Sequence, residues 1–219
     1  MSPAPAAAIY QDENVLAVSK PAGVAVIPGR GLAEEPLKAV LERSLGARLY
    51  VAHRLDRDAS GLVVFAKNAA SHRSLCLQFE GRRVRKKYLA LVLGRVDASR
   101  GEVDRPIRAF GSGRMGTGPG GKPSRTLYRV LERFADASLL EVEPSGGRRH
   151  QIRVHLCGIG HPIVGDPLYG GPRPVGGASR LMLHALELGF RLPDGRPIVL
   201  RADPPPDFQA VLEIYKMRK

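Results

Sequence analysis

Seven short apolar runs, each bounded by turn residues, set the first expectation for this chain. "NVLAVSK", "GLVVFAK", "KYLALVLG", "TLYRVLERF", "SLLEVEPS", "LHALELGF" and "PIVLRA" read as strands, several with period-two alternation. Helical spacing is rarer. Leu37, Val40, Leu41 and Leu45 share one face, and Gly46 follows as a stop. Asn68 is placed to cap a second helix carrying Leu75 and Phe79, and Asp207 to cap a last one carrying Val211, Leu212 and Tyr215. "GGRRHQIRVHL", Gly146 to Leu156, opens on two glycines and turns helical. Strands outnumber helices without alternating regularly with them. The expected class is therefore α+β, with a mixed, largely antiparallel central sheet and flanking helices. No solenoid repeat is present. The low-complexity stretch "GSGRMGTGPGGKPSR", Gly111 to Arg125, reads as a mobile basic loop. Both sides of it are strand-rich, so residues 1–219 are expected to form a single domain.

Charge narrows the partners. The chain carries 34 Lys and Arg against 21 Asp and Glu, a formal net charge of +13. Such an excess points to a polyanion, nucleic acid first and anionic membrane second, although a solubility surface gives the same total. No apolar run approaches the roughly 18 residues of a membrane span. The opening "MSPAPAAAIYQDEN" lacks the basic and apolar regions of a secretory signal. Cys76 and Cys157 are too few for a disulfide framework. A cytoplasmic protein is expected, with no membrane partner.

Several common chemistries lack their signatures. "GTGPGGKP" matches a phosphate loop until Pro123 takes the place of the magnesium-binding Ser or Thr. The six histidines are scattered without ligand spacing, and no glycine-flanked serine elbow occurs. Three segments are more informative. "HRLDRDASGLVVFAKN", His53 to Asn68, sets Arg54, Asp56, Arg57 and Asp58 at the mouth of a run that reads as a buried strand. "FEGRRVRKKYLALVLG" brings Arg82, Arg83, Arg85, Lys86 and Lys87 into a strand beginning at Tyr88. That is either a solvated turn with a half-buried anchor or a phosphate-contacting ridge beside a base-stacking ring. In "GGRRHQIRVHL", Arg149 and Arg153 are spaced to share a helix face, and Arg153 lies near the apolar side with Ile152 and Leu156. A guanidinium buried there needs a carboxylate, and Asp56 is the candidate. Asp58 reads as a turn residue.

Together with "VLAVSKPAGVAVIPG", "GKPSRTLYRVLERF", "HPIVGDPLYG" and "LHALELGF", these segments resemble the RluA-type pseudouridine synthases from about Ile9 to Arg201. The resemblance departs at Ala59, commonly threonine, and at "GGRRHQ", commonly Thr-Gly-Arg-Thr-His-Gln. It implies a mixed antiparallel sheet around a basic catalytic cleft, no cofactor and no metal. The implied reaction is isomerisation of uridine to pseudouridine within ribosomal or transfer RNA. It further implies Asp56 as the catalytic carboxylate, Tyr88 as the active-site aromatic and Arg153 as the partner of Asp56. His53, Arg54, Arg82, Arg83, Lys86, Lys87, Arg148 and His150 are the expected RNA contacts. Relative to members with an N-terminal RNA-binding module, the chain matches the compact form, and a monomer is the default.

The chemistry fits these residue types. The bond from uracil nitrogen to ribose must break, the base must turn over, and carbon must take nitrogen's place. An ionised carboxylate can attack the anomeric carbon or remove a proton from the neighbouring ribose carbon, and both routes remain open. Burial disfavours a charged Asp56, and an adjacent guanidinium offsets that. The target base must leave its stack, at a cost of roughly a few kcal/mol, and Arg54 is placed to fill the vacated space. A glycosidase and a non-catalytic RNA binder are the rival readings. Released uracil would mark the first; RNA function surviving loss of Asp56 would mark the second.

Overall fold

The computed structural model describes residues 6–29, 34–111, 114–170 and 177–218. Its contacts divide the chain into two compact units, Met1–Lys86 with Ala185–Pro204, and Lys87–His184 with Pro205–Lys219. The first stretch carries β1 (Ala7–Gln11), β2 (Val15–Lys20), α1 (Leu37–Leu45), β3 (Tyr50–Val51), β4 (Ser60–Ala66) and α2 (Ala69–Glu80). The chain crosses into the second unit through β5 (Arg85–Leu93). It continues with β6 (Arg100–Asp104), β7 (Ile107–Ala109), β8 (Met115–Thr117), β9 (Arg125–Arg133), β10 (Ala137–Pro144) and α3 (Gln151–Gly158). It returns through β11 (Leu183–Arg191) and β12 (Pro197–Arg201), then ends with α4 (Pro206–Lys216).

In unit 1 the neighbours run β1, β2, β4, β11, with β12 on β11 and β3 on β4. In unit 2 they run β5, β10, β9, β6, and β7 with β8 forms a separate hairpin. The pairings β1–β2, β2–β4, β3–β4, β11–β12, β5–β10, β9–β10, β6–β9 and β7–β8 are all antiparallel. The α+β class with a largely antiparallel sheet is therefore as the apolar pattern predicts, and all seven expected strands are present.

The core of unit 1 shows how sequence becomes packing. Every residue of β4 is buried, which is why its sequence reads as continuous rather than alternating apolar. Val63 and Phe65 join Leu16 and Val18 of β2, Leu37 of α1, and Val24, Val26 and Leu49 in one apolar cluster. Gly61 has φ +109, and a Cβ there would lie 2.3 Å from the Ala185 carbonyl oxygen. Its lack of a side chain is what lets the β11 backbone approach so closely. Asn68 caps α2 as expected, its side chain accepting the Ser71 N–H at 2.9 Å. Gly46 ends α1 in the left-handed conformation, φ 63.

Three expectations are corrected. Pro205, not Asp207, is the cap residue of α4, with proline also in the first turn. Proline at a helix start brings a preset φ and needs no hydrogen-bond partner for its nitrogen. Asp207 sits in the first turn of the helix and accepts Arg180 Nε at 2.6 Å and Nη2 at 2.8 Å. The glycine-rich stretch is not loop throughout. Met115–Thr117 forms β8, and Lys122 exchanges hydrogen bonds with Ile107 at 3.0 and 2.8 Å. A Cβ on Gly121 would meet the Ile107 backbone at 2.8 Å, so the glycines serve close chain packing here. Residues 112–113 of this stretch lie outside the described residues. Finally, α3 begins at Gln151, so Arg149 precedes the helix and shares no helical face with Arg153.

Candidate active site

Leu55 explains the acidic turn. Its side chain packs against the core cluster of unit 1, which holds the flanking residues at the surface of that core. Arg54 is exposed and Asp56 is half-buried. Asp56 opens a turn closed by the Ala59 N–H on its carbonyl at 3.2 Å, and Asp58 lies within that turn as expected. The next carbonyl, that of Arg57, accepts Gly23 N–H at 3.0 Å and Lys20 Nζ at 2.8 Å. Lys20, 1% exposed, also donates to the carbonyls of Pro21 and Val24, each at 2.8 Å. Arg57 Nε reaches back to the Gly23 carbonyl at 3.0 Å. The Asp56 turn is thus pinned to the segment after β2 by a buried ammonium spanning three carbonyls. Sequence reasoning misses Lys20; its signal is a lysine ending an otherwise buried strand, directly before proline.

His53 also works inside unit 1. Its Nε2 accepts the Val64 N–H at 3.0 Å, and its ring stacks on Phe79 with centroids 4.4 Å apart. Burial, with the nearby Lys86 ammonium, lowers its pKa to about 3, so the ring is neutral at physiological pH. This tautomer leaves the proton on Nδ1.

Tyr88 stands half-buried on β5 opposite Val142 of β10. The cations leading to it differ in their commitments. Lys87 lies 3.2 Å from Glu141 and 3.9 Å from Glu143, and Arg129 also bonds Glu141 at 3.1 Å. Burial opposes ionisation of Glu141, yet hydrogen bonds from Arg129 and Lys87 hold its carboxyl below the usual range. Arg82 is exposed, with a left-handed φ of 54. Arg83 is exposed and donates to the Leu77 carbonyl at 3.2 Å. Burial, then repulsion from Arg82, lowers the pKa of Lys86 to about 8.

In unit 2, α3 is entered through His150 in the left-handed conformation, φ 56. A non-glycine residue held there is strained, and the surroundings must enforce it. The Gln151 side chain accepts Arg148 N–H at 3.2 Å and donates to the Arg125 carbonyl at 2.9 Å and to Thr126 Oγ1 at 3.1 Å. Arg153 is buried, as its apolar neighbours predict, and is held by a carboxylate. That carboxylate is Asp166: Arg153 Nε meets Oδ2 at 2.8 Å and Nη2 meets Oδ1 at 2.7 Å. Asp166 Oδ1 also accepts the Leu168 and Tyr169 N–H groups at 2.9 and 3.1 Å. Tyr169 places its hydroxyl 3.0 Å from His150 Nδ1. Asp166 and Tyr169 are both additions to the residues expected from the sequence, although both lie in "GDPLYG".

An α+β fold of this kind is found in solved pseudouridylate synthases. Human RNA Pseudouridylate Synthase Domain Containing 1 superposes with a TM-score of 0.82 at 31% identity, covering 96% of this chain and 90% of its own. The RNA pseudouridylate synthase family model matches residues 14–157. The ribosomal large subunit pseudouridine synthase D of Nitrosomonas europaea is 40% identical over 218 residues, 93% of this chain and 63% of its own length. A protein of Chloroflexus aurantiacus named uncharacterized RNA pseudouridine synthase is 46% identical over 204 residues, 89% of this chain and 64% of its own length. The chain therefore belongs to the RNA pseudouridylate synthase family. It spans a little under two thirds of the length of these two curated relatives. Among the described residues no helix is long and apolar enough to cross a membrane.

Proposed function

We propose that this chain isomerises uridine to pseudouridine in ribosomal RNA, with Asp56 as the reacting carboxylate. The observation that carries the reading is the Asp56 turn, anchored by Leu55 in the core and tied through Lys20 and Gly23 to the segment after β2. A catalytic group must be held within a fraction of an ångström of its reacting partner, and a turn clamped at both ends does that. A surface turn with a solvated carboxylate needs no such support.

In this reading the ionised Asp56 attacks the anomeric carbon or removes the neighbouring ribose proton. The nitrogen–carbon bond then breaks and the base turns. Its carbon closes the new bond to the anomeric carbon as the bond to Asp56 breaks, or as the ribose proton is returned. That carbon then loses its proton and the released nitrogen gains one. Tyr88 stacks on the extruded base and takes part in that last transfer through its hydroxyl. Arg153, its guanidinium fixed by Asp166, is the third member of the proposed catalytic set. Arg54, exposed two residues before Asp56, fills the space the base leaves. Arg82, Arg83, Lys86, Arg148 and His150 contact RNA, while Lys87 is already engaged by Glu141 and Glu143. His53 serves by holding the segment to β4 through Val64. The relatives' names favour large-subunit ribosomal RNA over transfer RNA, and a cytoplasmic monomer acting without cofactor completes the proposal.

The test is pseudouridine mapping of total RNA from cells lacking the gene, complemented with wild type or Asp56→Ala. A site lost on deletion and restored by wild type alone supports the reading and identifies the uridine. Restoration by Asp56→Ala refutes it.

A further inference from the structure

Tyr169 is tied to Arg153 by one direct contact and one shared acceptor. Its ring lies against the guanidinium, with Arg153 Cζ 5.2 Å from the ring centroid, and Arg114 Cζ is 5.4 Å from the same centroid. Its backbone N–H goes to Asp166 Oδ1 at 3.1 Å, the oxygen that also accepts Arg153 Nη2 at 2.7 Å. The hydroxyl accepts the Met115 N–H at 3.2 Å and lies 3.0 Å from His150 Nδ1, so the ring's far end is held by β8 and by the turn entering α3.

These contacts divide the work of fixing a guanidinium. Two parallel bonds to one carboxylate hold it in the carboxylate's plane, yet allow rocking about the line joining the two oxygens. With Arg153 Cζ over its ring, Tyr169 limits that rocking, and cation–π attraction favours the contact. Burial pushes the Tyr169 phenol up, which keeps the ring uncharged between two cations. A flexible apolar side chain would fill the volume without presenting a flat face.

We propose that Tyr169 is a positioning residue for Arg153, setting the tilt of its guanidinium by ring contact while its hydroxyl anchors the ring to β8 and the His150 turn. The inference rests on the reading that Arg153 belongs to the catalytic set.

The experiment measures pseudouridine formation in a transcript carrying the mapped uridine, with the full chain and with kcat and KM resolved. Tyr169→Leu is expected to lower kcat on the order of tenfold or more, with little change in KM, because small misplacements of a catalytic group are costly. Tyr169→Phe, which keeps the ring, should recover most of the lost kcat. Should Tyr169→Leu not fold, Tyr169→Met takes its place, filling the volume without a ring. A folded Leu or Met variant whose kcat matches wild type overturns the inference, as does a loss confined to KM or a Phe variant as impaired as Leu. Asp56→Ala runs alongside: its activity reports on the underlying reading, so the two failures are distinguishable.

Discussion

Arg153 and Asp166 form a two-bond pair, 2.8 and 2.7 Å, in which the side chains are 2% and 0% exposed. Attraction between such groups is offset by their desolvation, so the pair as a whole contributes modest stability. Breaking it from one side is another matter, because the remaining charge stays buried. Asp166→Ala should cost about 3–5 kcal/mol. It also orphans the Leu168 and Tyr169 N–H groups. The urea midpoint should fall accordingly with an unchanged slope. A midpoint within error of wild type would show that the remaining contacts of Arg153 compensate for the lost carboxylate.

Gly61 makes a second strong demand. Its φ is +109, and a Cβ at this position would stand only 2.3 Å from the Ala185 carbonyl oxygen. Alanine has no accommodating shift there, because the obstacle is backbone. Gly61→Ala should destabilise unit 1 by more than the ~1 kcal/mol of an ordinary glycine-to-alanine mismatch. Hydrogen exchange at the β4 amides should quicken most. Unchanged protection there would mean that β11 can move aside.

How much of this is legible in the sequence depends on the range of the interaction. β4 and β2 announce themselves because runs such as Leu62–Ala66 are apolar without interruption. The cap at Asn68 is equally local, three residues from its donor Ser71. Ile152 and Leu156 predict burial of Arg153 beside them, and burial predicts a carboxylate. Asp166, the carboxylate found on its Nε and Nη2, lies beyond the end of α3, and no periodicity links the two. The five strands outside the expected set, β1, β3, β6, β7 and β8, are two to five residues long and take their pairing from neighbours. Lys20 misleads for a further reason: a charged residue at a strand end normally marks the surface, yet here three carbonyls replace the water.

His53 links stability to pH. Its folded pKa of about 3 lies below the ordinary histidine value of about 6.5, so the unfolded chain binds the extra proton first. The contribution is fully present above about pH 6.5 and is lost as pH falls toward 3. His53→Gln removes this titration while keeping a side-chain acceptor for Val64. The variant should lose less of its Tm than wild type as pH falls from about 6.5 to about 4.5. Parallel Tm–pH curves would show that His53 is not responsible.

Lys86 links binding to pH in the opposite sense. With a pKa of about 8 in the free protein, its ammonium loses charge just above physiological pH, well below an ordinary lysine. Where it contacts a phosphate, RNA affinity should decline as pH rises through about 8, and bound phosphate should draw the proton back. The slope of log affinity against log salt should flatten by about 0.7–0.9 between about pH 7 and 9.5, the share of one neutralised phosphate. Lys86→Arg keeps its charge over this range and should abolish the change. Filter binding or fluorescence anisotropy with the mapped transcript measures both slopes. Equal pH dependence in wild type and Lys86→Arg would remove Lys86 from the RNA contacts and leave the exposed Arg82 and Arg83 to supply them.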